Sequence, residues 1–576
     1  MIKNRLNLLR SELKKNGFDG YIIPSTDEYL SEYVPSYAKR LEYITGFSGS
    51  NGLAIILPEI VLFFTDGRYI SECETELDAS LFKVFDQKFF DKIQWSDYIK
   101  NTDIIAYDPK LFNLNSLNKF DLLNIKQHPE NLVDKIWSDQ PRRPNTPIYD
   151  YPIEFAGEDW TEKVKKCLKF IADHDASALL ITDSASICWL FNIRASDIEF
   201  SPLLLAQVII TIHEIYLLTN VERFNSSSIS KNIRILPETE FEKILGSIDG
   251  TIIFDENQCS SYISSVINLK ESKNIKNPCM LWKSCKNEVE IEVMKQVHIV
   301  DSVAICEMLS FIDSNDLSNY SEHDLGVKLS EFRARSKNYK YDSFPTICGF
   351  NENSSIIHYR ASKNSAKRII GNGLLLIDSG GQYFGSTTDV TRTIVIGKAL
   401  DFYKEYYTLV LKGHIGLGRI RFPADAVCGA NLDVLARQYL WKQGLDYPHG
   451  TGHGVGNFLS VHEGPQNISL NSFNQKLHLG MVLSNEPGYY VSGEFGIRIE
   501  NMMYVKESTY PNFLEFEMLT LVPYDLSLIK FDMLSQDEIT YLAHYYQQIK
   551  NMIFPLLSNN AQKWFNKQSL CITGVN

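Results

Sequence analysis

The sequence predicts a multidomain protein of mixed α/β and α+β architecture, in which two α/β domains precede a larger α+β domain. Its 576 residues are too many for one hydrophobic core. Up to about residue 283, apolar strand-like runs alternate with amphipathic helices, as is typical of α/β domains. A long helical stripe then leads into short strand patterns that carry acids and histidines. We therefore expect domains at 1–147, 148–284 and 285–576.

Composition argues against several functional classes. With 57 Lys and Arg against 70 Asp and Glu, the net charge of −13 does not suit a nucleic-acid or membrane-surface binder. The ten cysteines occur singly, which fits reduced thiols rather than a disulfide framework. The N-terminus does not resemble a secretory signal, and no segment approaches the roughly 20 apolar residues of a membrane span. The expected location is cytoplasmic.

The first region, 1–147, opens with an amphipathic helix that should end near Asn16-Gly17, because glycine suits a helix C-terminus. Strand patterns follow at 21–23, 52–57, 60–65 and 104–107, and the second and third of these should form a hairpin. Residues 140–147 contain three prolines, which predicts an extended linker.

The second region, 148–284, repeats this alternation. A helix is predicted at 160–175, and strands at 178–182, 208–212, 215–219 and 251–254. The middle two of these strands should form a hairpin around His213-Glu214. Neither of the first two regions contains a cluster of convergent metal ligands or a nucleophile–base pair. Both are therefore interpreted as structural or substrate-shaping.

The third region, 285–576, begins with apolar residues at three- and four-residue steps from Val289 to Met308, including Val300, which predict one long helix with a single apolar stripe. A second helix is expected at 322–335. Ser535 and Glu538 form a capping-box pattern before a helix through about Met552. The last twenty or so residues are polar and are expected to be loosely ordered.

Two aspartates mark the stretch around which the chemistry is organised. Asp378 ends an apolar run that starts at Gly373, a reversal at Gly380-Gly381 follows, and Asp389 opens the next strand-like run. This pattern predicts a hairpin, bulged at the glycines, with two carboxylates side by side at a buried sheet edge. Isolated charges there are costly, so they must be paired, protonated or bound to metal.

Four histidines in the third region have informative neighbours: His358, His449, His453 and His462. His449-Gly-Thr-Gly-His453 has the histidine spacing of a zinc-binding helix, but Pro448 and Gly454 disfavour a helix there. Two further acids, Glu486 and Glu500, occur in strand-like segments with apolar neighbours.

Taken singly, each of these residues has an ordinary structural explanation. Asp-Ser-Gly often forms a turn, an acid before Pro-Gly is often a surface residue, and a lone histidine is usually a satisfied structural residue. Four other histidines lack a comparable context and are expected to be structural: His298, His323, His414 and His478.

Taken together, the acids and His453 predict a metal site. Four carboxylates that converge on one pocket would repel one another and raise each other's pKa. Two divalent cations would balance the four negative charges, with a neutral imidazole completing the set. The ligand types favour a hard or borderline metal such as Mn, Co or Zn rather than a thiolate site. Paired metals activate a shared water, so hydrolysis is the natural use.

Motifs in all three regions resemble one protein family. They lie at 24–33, 44–50, 65–69, 189–197, 448–454, 461–465, 484–490 and 495–501, and include Val461-His-Glu-Gly-Pro465 and Ser484-Asn-Glu-Pro-Gly-Tyr-Tyr490. From near Leu6 to about Met552, the chain resembles the three-domain cytosolic Xaa-Pro aminopeptidases of the pita-bread metallopeptidase family. The resemblance implies two creatinase-like N-terminal domains and a C-terminal pita-bread catalytic domain with a helical extension.

By this resemblance, Asp378 would bind one metal, while Asp389 and Glu500 would bridge both. His453 and Glu486 would complete the second site. Glu486 would also be the general base for a metal-bridging hydroxide that attacks the peptide bond. Arg498, two residues before Glu500, should project from the same sheet face and pair with a ligand carboxylate from behind.

The implied reaction releases the N-terminal residue from a peptide whose second residue is proline. His358, His449 and His462 match family histidines that line the proline pocket and assist proton transfer. A dedicated pocket is needed because an Xaa-Pro bond has no N–H to donate. A homodimer is also implied. Ala195 and Phe64 depart from the family pattern, which often has glycine and tryptophan there, but both lie outside the predicted metal site.

Two alternatives stay open. A prolidase would use the same metals but cut only Xaa-Pro dipeptides, and the three-domain layout favours the aminopeptidase over it. A catalytically inactive pita-bread domain that binds peptides or histones would be expected to lack metal ligands, and all five are present here.

Overall fold

The computed structural model describes residues 1–224, 229 and 233–573. They divide into two compact units: one comprises Met1–Pro152 and Glu158–Cys279, and the other comprises Ile153–Gly157 and the residues from Met280 onward. Among the described residues, no helix is both long and apolar enough to cross a membrane. The domain limits predicted at residues 147 and 284 stay predictions.

The first part of unit 1 is built on a six-stranded mixed sheet in the order β4-β3-β2-β1-β5-β6. Its strands are β1 Gly20–Pro24, β2 Leu53–Ile56, β3 Val61–Thr65, β4 Phe82–Asp86, β5 Ile105–Tyr107 and β6 Ile125–Gln127. Its helices are α1 Ile2–Lys15, α2 Arg40–Thr45, α3 Ile70–Glu76, α4 Leu114–Asn118 and α5 Leu132–Ile136. The predicted hairpin is confirmed, because β2 and β3 pair antiparallel.

A second six-stranded sheet, in the order β12-β11-β10-β8-β13-β14, repeats this topology. The part of the chain from residue 149 to residue 274 contains the six strands of this sheet together with β7 and β9. In order, the strands are β7 Tyr149–Asp150, β8 Ala178–Ile181, β9 Ile193–Arg194, β10 Gln207–Thr211, β11 Ile215–Leu218, β12 Arg234–Leu236, β13 Ile252–Phe254 and β14 Ser272–Asn274. The helices along the same stretch are α6 Ile153–Ala156, α7 Trp160–Asp173, α8 Ser184–Leu190, α9 Phe241–Ser247, α10 Ser261–Ile267 and α11 Pro278–Ser284.

The two sheets share the same pairing pattern. In each, the first strand pairs antiparallel with the next strand of the sheet along the chain and parallel with a later strand. The predicted hairpin of β10 and β11 is present. Residues 140–148, in the segment that joins the sheets, form no helix or strand, as its prolines predicted.

The described residues of unit 2 form six further α-helices. They are α12 Glu288–Ser314, α13 Glu322–Arg333, α14 Asp401–Gly418, α15 Gly429–Trp441, α16 Gln536–Met552 and α17 Asn559–Thr573. The capping box predicted at Ser535 and Glu538 is present at the start of α16. The single apolar stripe of α12 is wrong in part, because Val289 and Val300 are exposed. The buried positions of this 27-residue helix still fall at four- and three-residue steps, and they include Glu290, Met294 and Asp301. The apolar pattern indicated Val289 and Val300, one residue before the buried positions, because polar residues occupy part of the buried face.

The strands of unit 2 form two three-stranded sheets, one six-stranded sheet and a two-stranded ribbon. They are β15 Tyr339–Asp342, β16 Ile347–Phe350, β17 Gly373–Ser379, β18 Gly381–Tyr383, β19 Ser386–Thr387, β20 Val390–Ile396, β21 Arg421–Pro423, β22 Gly452–Gly454, β23 Glu463–Ile468, β24 Val482–Asn485, β25 Gly488–Val491, β26 Phe495–Arg498, β27 Asn501–Glu507 and β28 Phe513–Met518. The sheets β16-β17-β20 and β21-β28-β27-β24-β22-β23 carry the five predicted metal ligands at or beside their strand ends.

The aspartate hairpin is more elaborate than predicted. β17 and β20 do pair antiparallel, but the chain between them makes a second hairpin, β18 and β19, which joins β15 in another sheet. Gly380 lies where the chain leaves the β16-β17-β20 sheet. A Cβ there would lie 1.9 Å from the Thr388 carbonyl oxygen, so only glycine permits the close approach of the two backbones.

The expectation of a loosely ordered C-terminal tail is wrong. Helix α17 covers Asn559–Thr573, and its Trp564 and Phe565 are buried in the main core of unit 2. These two aromatic side chains supply the apolar area that the generally polar composition of the segment concealed. Residues 574–576 lie outside the described residues.

Candidate metal centre

Asp378 and Asp389 lie at the same end of the β17–β20 pair. Asp378 is opposite Thr391 in the antiparallel register, and Asp389 immediately precedes β20. Both aspartates are buried, with 8% and 4% of their surface exposed. The strand pairing therefore brings two carboxylates together at a buried sheet edge, as the sequence predicted.

Glu500 adjoins the six-stranded sheet of unit 2 and is hydrogen-bonded to the same end of the β17–β20 pair. It immediately precedes β27, and its backbone N–H donates to the Thr391 carbonyl oxygen at 3.1 Å. The Thr391 hydroxyl donates in turn to Glu500 Oε2 at 2.8 Å. Behind this contact, the buried guanidinium of Arg392 donates to the Glu500 carbonyl oxygen at 2.6 Å. Glu500 is thus a buried carboxylate with a fixed backbone.

His453 and Glu486 come from neighbouring strands of that six-stranded sheet. His453 lies in β22, and Glu486 directly follows β24. Ser484 connects them: its Oγ accepts a hydrogen bond from the His453 backbone N–H at 3.0 Å and donates to Glu486 Oε1 at 3.1 Å. The Glu486 N–H donates to the Thr451 carbonyl oxygen at 2.8 Å, which closes the junction between the two strands.

The side chains from the two sheets converge. His453 Nε2 lies 3.5 Å from Asp389 Oδ2 and 3.4 Å from Glu486 Oε1. One ligand atom each from Asp389, His453 and Glu500 lies within 4.8 Å of the other two. The structure therefore brings together residues that are up to 111 positions apart in the sequence.

The imidazole of His453 has the orientation of a ligand. Its Nδ1 lies 3.0 Å from the carbonyl oxygen of Gly454 and donates to it. The other nitrogen, Nε2, is the one that faces the carboxylates. A backbone carbonyl that holds one ring nitrogen in this way is the usual support of a metal-binding histidine.

The carboxylates at this point repel one another. Burial raises the pKa of Asp389 to about 6, and the charge of Asp378 contributes. Burial, together with the charges of Asp389, Glu486 and Asp378, raises the pKa of Glu500 well above its usual range. Burial alone would lower the pKa of His453, but its hydrogen bond to Asp389 and the charge of Glu486 raise it to about 9. The site attracts positive charge.

This arrangement fits divalent cations. The Oδ1 atoms of Asp378 and Asp389 are buried without a hydrogen-bond partner in the described part of the chain. Buried carboxylate oxygens without donors are costly unless a cation satisfies them. Four carboxylates and one imidazole form a donor set suited to hard or borderline divalent metals.

Arg498 lies behind Asp378, as predicted. Its Nη2 donates to Asp378 Oδ2 at 2.6 Å, its Nη1 donates to the Tyr490 hydroxyl at 2.8 Å, and its Nε donates to Thr391 Oγ1 at 3.2 Å. Burial alone would lower the pKa of this guanidinium, but Tyr490 and the Asp378 carboxylate raise it well above its usual value. One oxygen of Asp378 is thereby fixed while the other stays available.

The three other predicted histidines lie at different distances from this cluster. The ring of His462 packs edge-on against that of His453, with centroids 4.4 Å apart. His449 Nε2 lies 3.0 Å from the Tyr490 hydroxyl. His358 is in the segment after β16, where the carbonyl oxygen of its neighbour Ile357 accepts from Arg498 Nη2 at 3.4 Å.

Sequence reasoning missed two residues that organise the site. Tyr490 connects Arg498 to His449, and Thr391 connects Glu500 to Arg498. Alternation along β20 could have indicated Thr391, because it lies two residues after Asp389 on the same strand face. No comparable signal distinguishes Tyr490 from the adjacent Tyr489.

Comparison with known proteins agrees with this arrangement. The profile of metallopeptidase family M24 matches residues 292–507, and that of its C-terminal region matches 512–572. Two profiles of the creatinase/prolidase N-terminal domain match residues 5–124 and 139–290. The profiles thus cover the two six-stranded sheets of unit 1, except β6, and nearly all of unit 2.

Relatives of similar length match from end to end. Xaa-Pro aminopeptidase 1 of Dictyostelium discoideum is 36% identical over 98% of this chain and 95% of its own. Xaa-Pro aminopeptidase 2 of Rattus norvegicus is 34% identical over 96% of this chain and 86% of its own.

Solved structures show the same fold. The X-prolyl aminopeptidase of Caenorhabditis elegans, described as a cytosolic enzyme with a di-nuclear active site, superposes with a TM-score of 0.94 at 31% identity over 99% of both chains. The prolidase of Pyrococcus horikoshii has a TM-score of 0.53 at 25% identity and covers 63% of this chain and 99% of its own. The chain is therefore a member of metallopeptidase family M24, with two creatinase-type N-terminal domains before its pita-bread catalytic domain.

Proposed function

We propose that the protein is an Xaa-Pro aminopeptidase that removes the N-terminal residue from peptides with proline in the second position. The observation that carries this proposal is the convergence of Asp389, His453, Glu486 and Glu500 at one buried point, beside the Arg498-bound Asp378. The end-to-end similarity to Xaa-Pro aminopeptidases supports the choice of substrate.

Two divalent cations would be held by the five predicted ligands. Asp378 would serve one metal, Asp389 and Glu500 would serve both, and His453 and Glu486 would complete the second site. When bound, the pair would supply the positive charge that balances the carboxylates and makes a water acidic enough to attack a peptide carbonyl. Manganese is the metal we propose, with cobalt or zinc as alternatives.

Glu486 acts as the general base in this proposal. Unlike Glu500, which is 1% exposed, its side chain retains 17% of its exposure, so it can meet both a water and the substrate. Ser484 donates to Glu486 Oε1 and keeps that carboxylate aimed at His453. A carboxylate fixed in this way can take a proton from an attacking water and return it to the leaving nitrogen.

The three remaining histidines form the substrate side of the site. His358, His449 and His462 are all partly exposed, as a binding surface requires. We assign them to the proline pocket and to proton transfer. The Tyr490 hydroxyl orients His449 and, through Arg498, connects it to Asp378.

Hydrolysis of an Arg-Pro-Pro peptide, followed by mass spectrometry, tests the proposal. We expect release of free arginine, loss of activity with a chelator, and recovery when manganese, cobalt or zinc is added back. Chelator-resistant cleavage would contradict a metal mechanism.

A prolidase is the second candidate, since a prolidase shares the fold over part of this chain. Turnover of Gly-Pro compared with a longer Xaa-Pro-Xaa peptide separates the two. Activity on the dipeptide alone would overturn our assignment. A non-catalytic, peptide- or histone-binding protein would bind these peptides without cleaving them under any metal condition.

We also propose a homodimer and a cytosolic location. The description of the C. elegans enzyme as cytosolic supports the location, and the family resemblance supports the dimer. Light scattering on the purified protein tests the dimer, for which twice the monomer mass is expected.

A further inference from the structure

The segment that carries His358 has little structure of its own. It runs from the end of β16 at Phe350 to Lys367, and its only regular element among the described residues is the 3₁₀ turn Asn351–Ser355. The 3₁₀ turn is joined to β26, because the Gly496 N–H donates to Ser354 Oγ at 2.7 Å, whereas residues 356–367 form no helix or strand. A stretch without regular structure does not hold a side chain in place by itself. Something outside the segment must fix His358 if it acts on substrate.

Glu322, the first residue of α13, binds this segment at four positions. Its carboxylate is fully buried, with 0% exposed. Oε1 accepts from the backbone N–H of Phe350 at 2.8 Å and from Asn353 Nδ2 at 2.9 Å. Oε2 accepts from Asn353 Nδ2 at 3.0 Å, the Tyr359 hydroxyl at 2.8 Å and the Lys367 N–H at 2.8 Å.

The backbone adds a reciprocal contact at the far end. The Glu322 N–H donates to the Lys367 carbonyl oxygen at 2.9 Å, and an isolated antiparallel bridge joins Ser321 to Arg368. One buried side chain therefore fixes the beginning, the middle and the end of the segment.

Every partner of this carboxylate is a donor. Two are backbone N–H groups, one is an amide NH₂ and one is a phenolic hydroxyl. The two oxygens of a carboxylate can accept from all four donors, whereas a side-chain amide offers one acceptor oxygen and would place its own NH₂ against two donors. The chemistry of the site therefore requires Glu rather than Gln.

The segment is held from both sides at His358. Its neighbour Tyr359 donates to Glu322, and its other neighbour Ile357 accepts from Arg498, which binds Asp378. Glu322 lies far from the predicted metal ligands in sequence, and its carboxylate accepts from Phe350, Asn353, Tyr359 and Lys367 rather than from any residue of the metal centre. Its connection to the centre runs through the His358 segment.

We propose that Glu322 is a positioning residue, which holds the 350–367 segment so that His358 is placed at the substrate side of the metal centre. This inference rests on the proposed function, because it gives His358 a role in turnover of Xaa-Pro peptides. Misplacement of such a group by about 1 Å lowers turnover by about 100-fold.

The test uses Glu322→Gln and Tyr359→Phe in the metal-loaded, full-length enzyme, with Glu331→Gln as the matched control on the exposed face of α13, where Glu331 pairs with Lys328. We expect kcat/KM for an Xaa-Pro-Xaa peptide to fall about 10- to 100-fold in Glu322→Gln, and by a smaller factor in Tyr359→Phe. Metal content should stay at the wild-type value, and the control should match wild type.

A double-mutant cycle with His358→Ala distinguishes positioning from general loss of structure. If Glu322 acts through His358, adding Glu322→Gln or Tyr359→Phe to His358→Ala should change kcat/KM by less than about twofold. Losses that multiply in both double variants would overturn the inference. Tyr359→Phe removes one hydroxyl only, so the cycle remains decisive even if Glu322→Gln folds poorly.

Failure of the proposed function has a different signature. A wild-type enzyme that cleaves no Xaa-Pro peptide overturns the proposed function and this inference with it. An active wild type with multiplicative losses overturns this inference alone.

Discussion

Asp378 and Asp389 have similar burial but different surroundings. The guanidinium of Arg498 holds one oxygen of Asp378. Asp389 faces only the imidazole of His453 and the charges of other carboxylates, and its pKa is raised to about 6. At the residue scale, the two aspartates are therefore not equivalent, and Asp389 depends more on bound cations for its charge balance.

The first prediction concerns Asp389→Asn, which keeps the shape of the side chain but removes its charge. We expect kcat/KM to fall by at least about 1,000-fold, because Asp389 is the residue proposed to serve both metals. Metal content, measured by plasma emission spectroscopy, should fall as well, while the circular dichroism spectrum stays that of the wild type. Near-wild-type turnover would refute the ligand assignment.

The second prediction concerns His449→Ala. His449 contacts Tyr490 rather than a predicted ligand, so metal stoichiometry should stay close to that of the wild type. Loss of a substrate-side histidine should lower kcat/KM by about 10- to 1,000-fold. A variant that loses metal in proportion to its activity would place His449 among the ligands instead.

At the scale of elements, the strand that precedes Glu486 is held by a helix. His414 of α14 donates from Nδ1 to the Asn485 carbonyl oxygen at 3.0 Å and accepts at Nε2 from the Tyr524 hydroxyl at 3.1 Å. Asn485 Nδ2 donates back to the His414 carbonyl oxygen at 2.9 Å. The histidine expected to be structural thus supports the strand that ends at the proposed base.

The third prediction is a pH-dependent stability that originates at His414. Burial and the charge of Arg392 lower its pKa to about 3, whereas an unfolded histidine titrates near 6.5. The unfolded chain therefore binds the proton more tightly, so stability is lost as pH falls below about 6.5 and continues to fall toward pH 3. The slope is about 1.4 kcal/mol per pH unit.

His414→Phe removes this titration together with two hydrogen bonds. At pH 7.5 the metal-free variant should be less stable than wild type by about 2 kcal/mol. At pH 5 the difference in stability between wild type and variant should be smaller, because only the wild type retains the titrating group. Melting temperatures of both proteins, measured in chelator at the two pH values, test this. A difference in melting temperature that does not change with pH would contradict the prediction.

The sequence predicted elements well where local signals determine them. The helix after Ser535 begins at a capping box, and the hairpin of β2 and β3 consists of two fully buried apolar runs joined by a short turn, so both appear as predicted. The β18–β19 excursion between Asp378 and Asp389 was missed, since its strands pair with β15, a distant segment. Pairing between distant segments leaves little local signal.

The fourth prediction concerns α17, the helix that composition concealed. Phe565 is 1% exposed in the main core, whereas Leu570 on the same helix is 69% exposed. Phe565→Ala should therefore cost about 3–5 kcal/mol and lower the melting temperature. Leu570→Ala is the matched control, and its melting temperature should stay within about two degrees of the wild-type value. Equal effects of the two substitutions would mean that α17 does not pack as described.

At the scale of the whole molecule, the site joins segments from Asp378 to Glu500 through two separate sheets. The ligand types were predictable from sequence because unpaired acids in apolar strands need a cation. Their mutual geometry was not, because it depends on Thr391, Ser484 and Tyr490, polar residues whose partners become evident only after the strands have paired. The same holds for Glu322, whose residue type gives no hint of its four donors.

Because the geometry of the site exists only in the folded chain, metal binding should stabilise the fold, and the last prediction tests this coupling. A ligand that binds only the folded state stabilises it by mass action, by about 2.7 kcal/mol at one hundred times its dissociation constant. Manganese added to chelator-treated protein should therefore raise the melting temperature in parallel with activity. Asp389→Asn should show little of this shift, because it lacks the shared ligand, and Glu331→Gln should show all of it. An equal shift in wild type and Asp389→Asn would place the stabilising cation elsewhere on this acidic chain, away from the five predicted ligands.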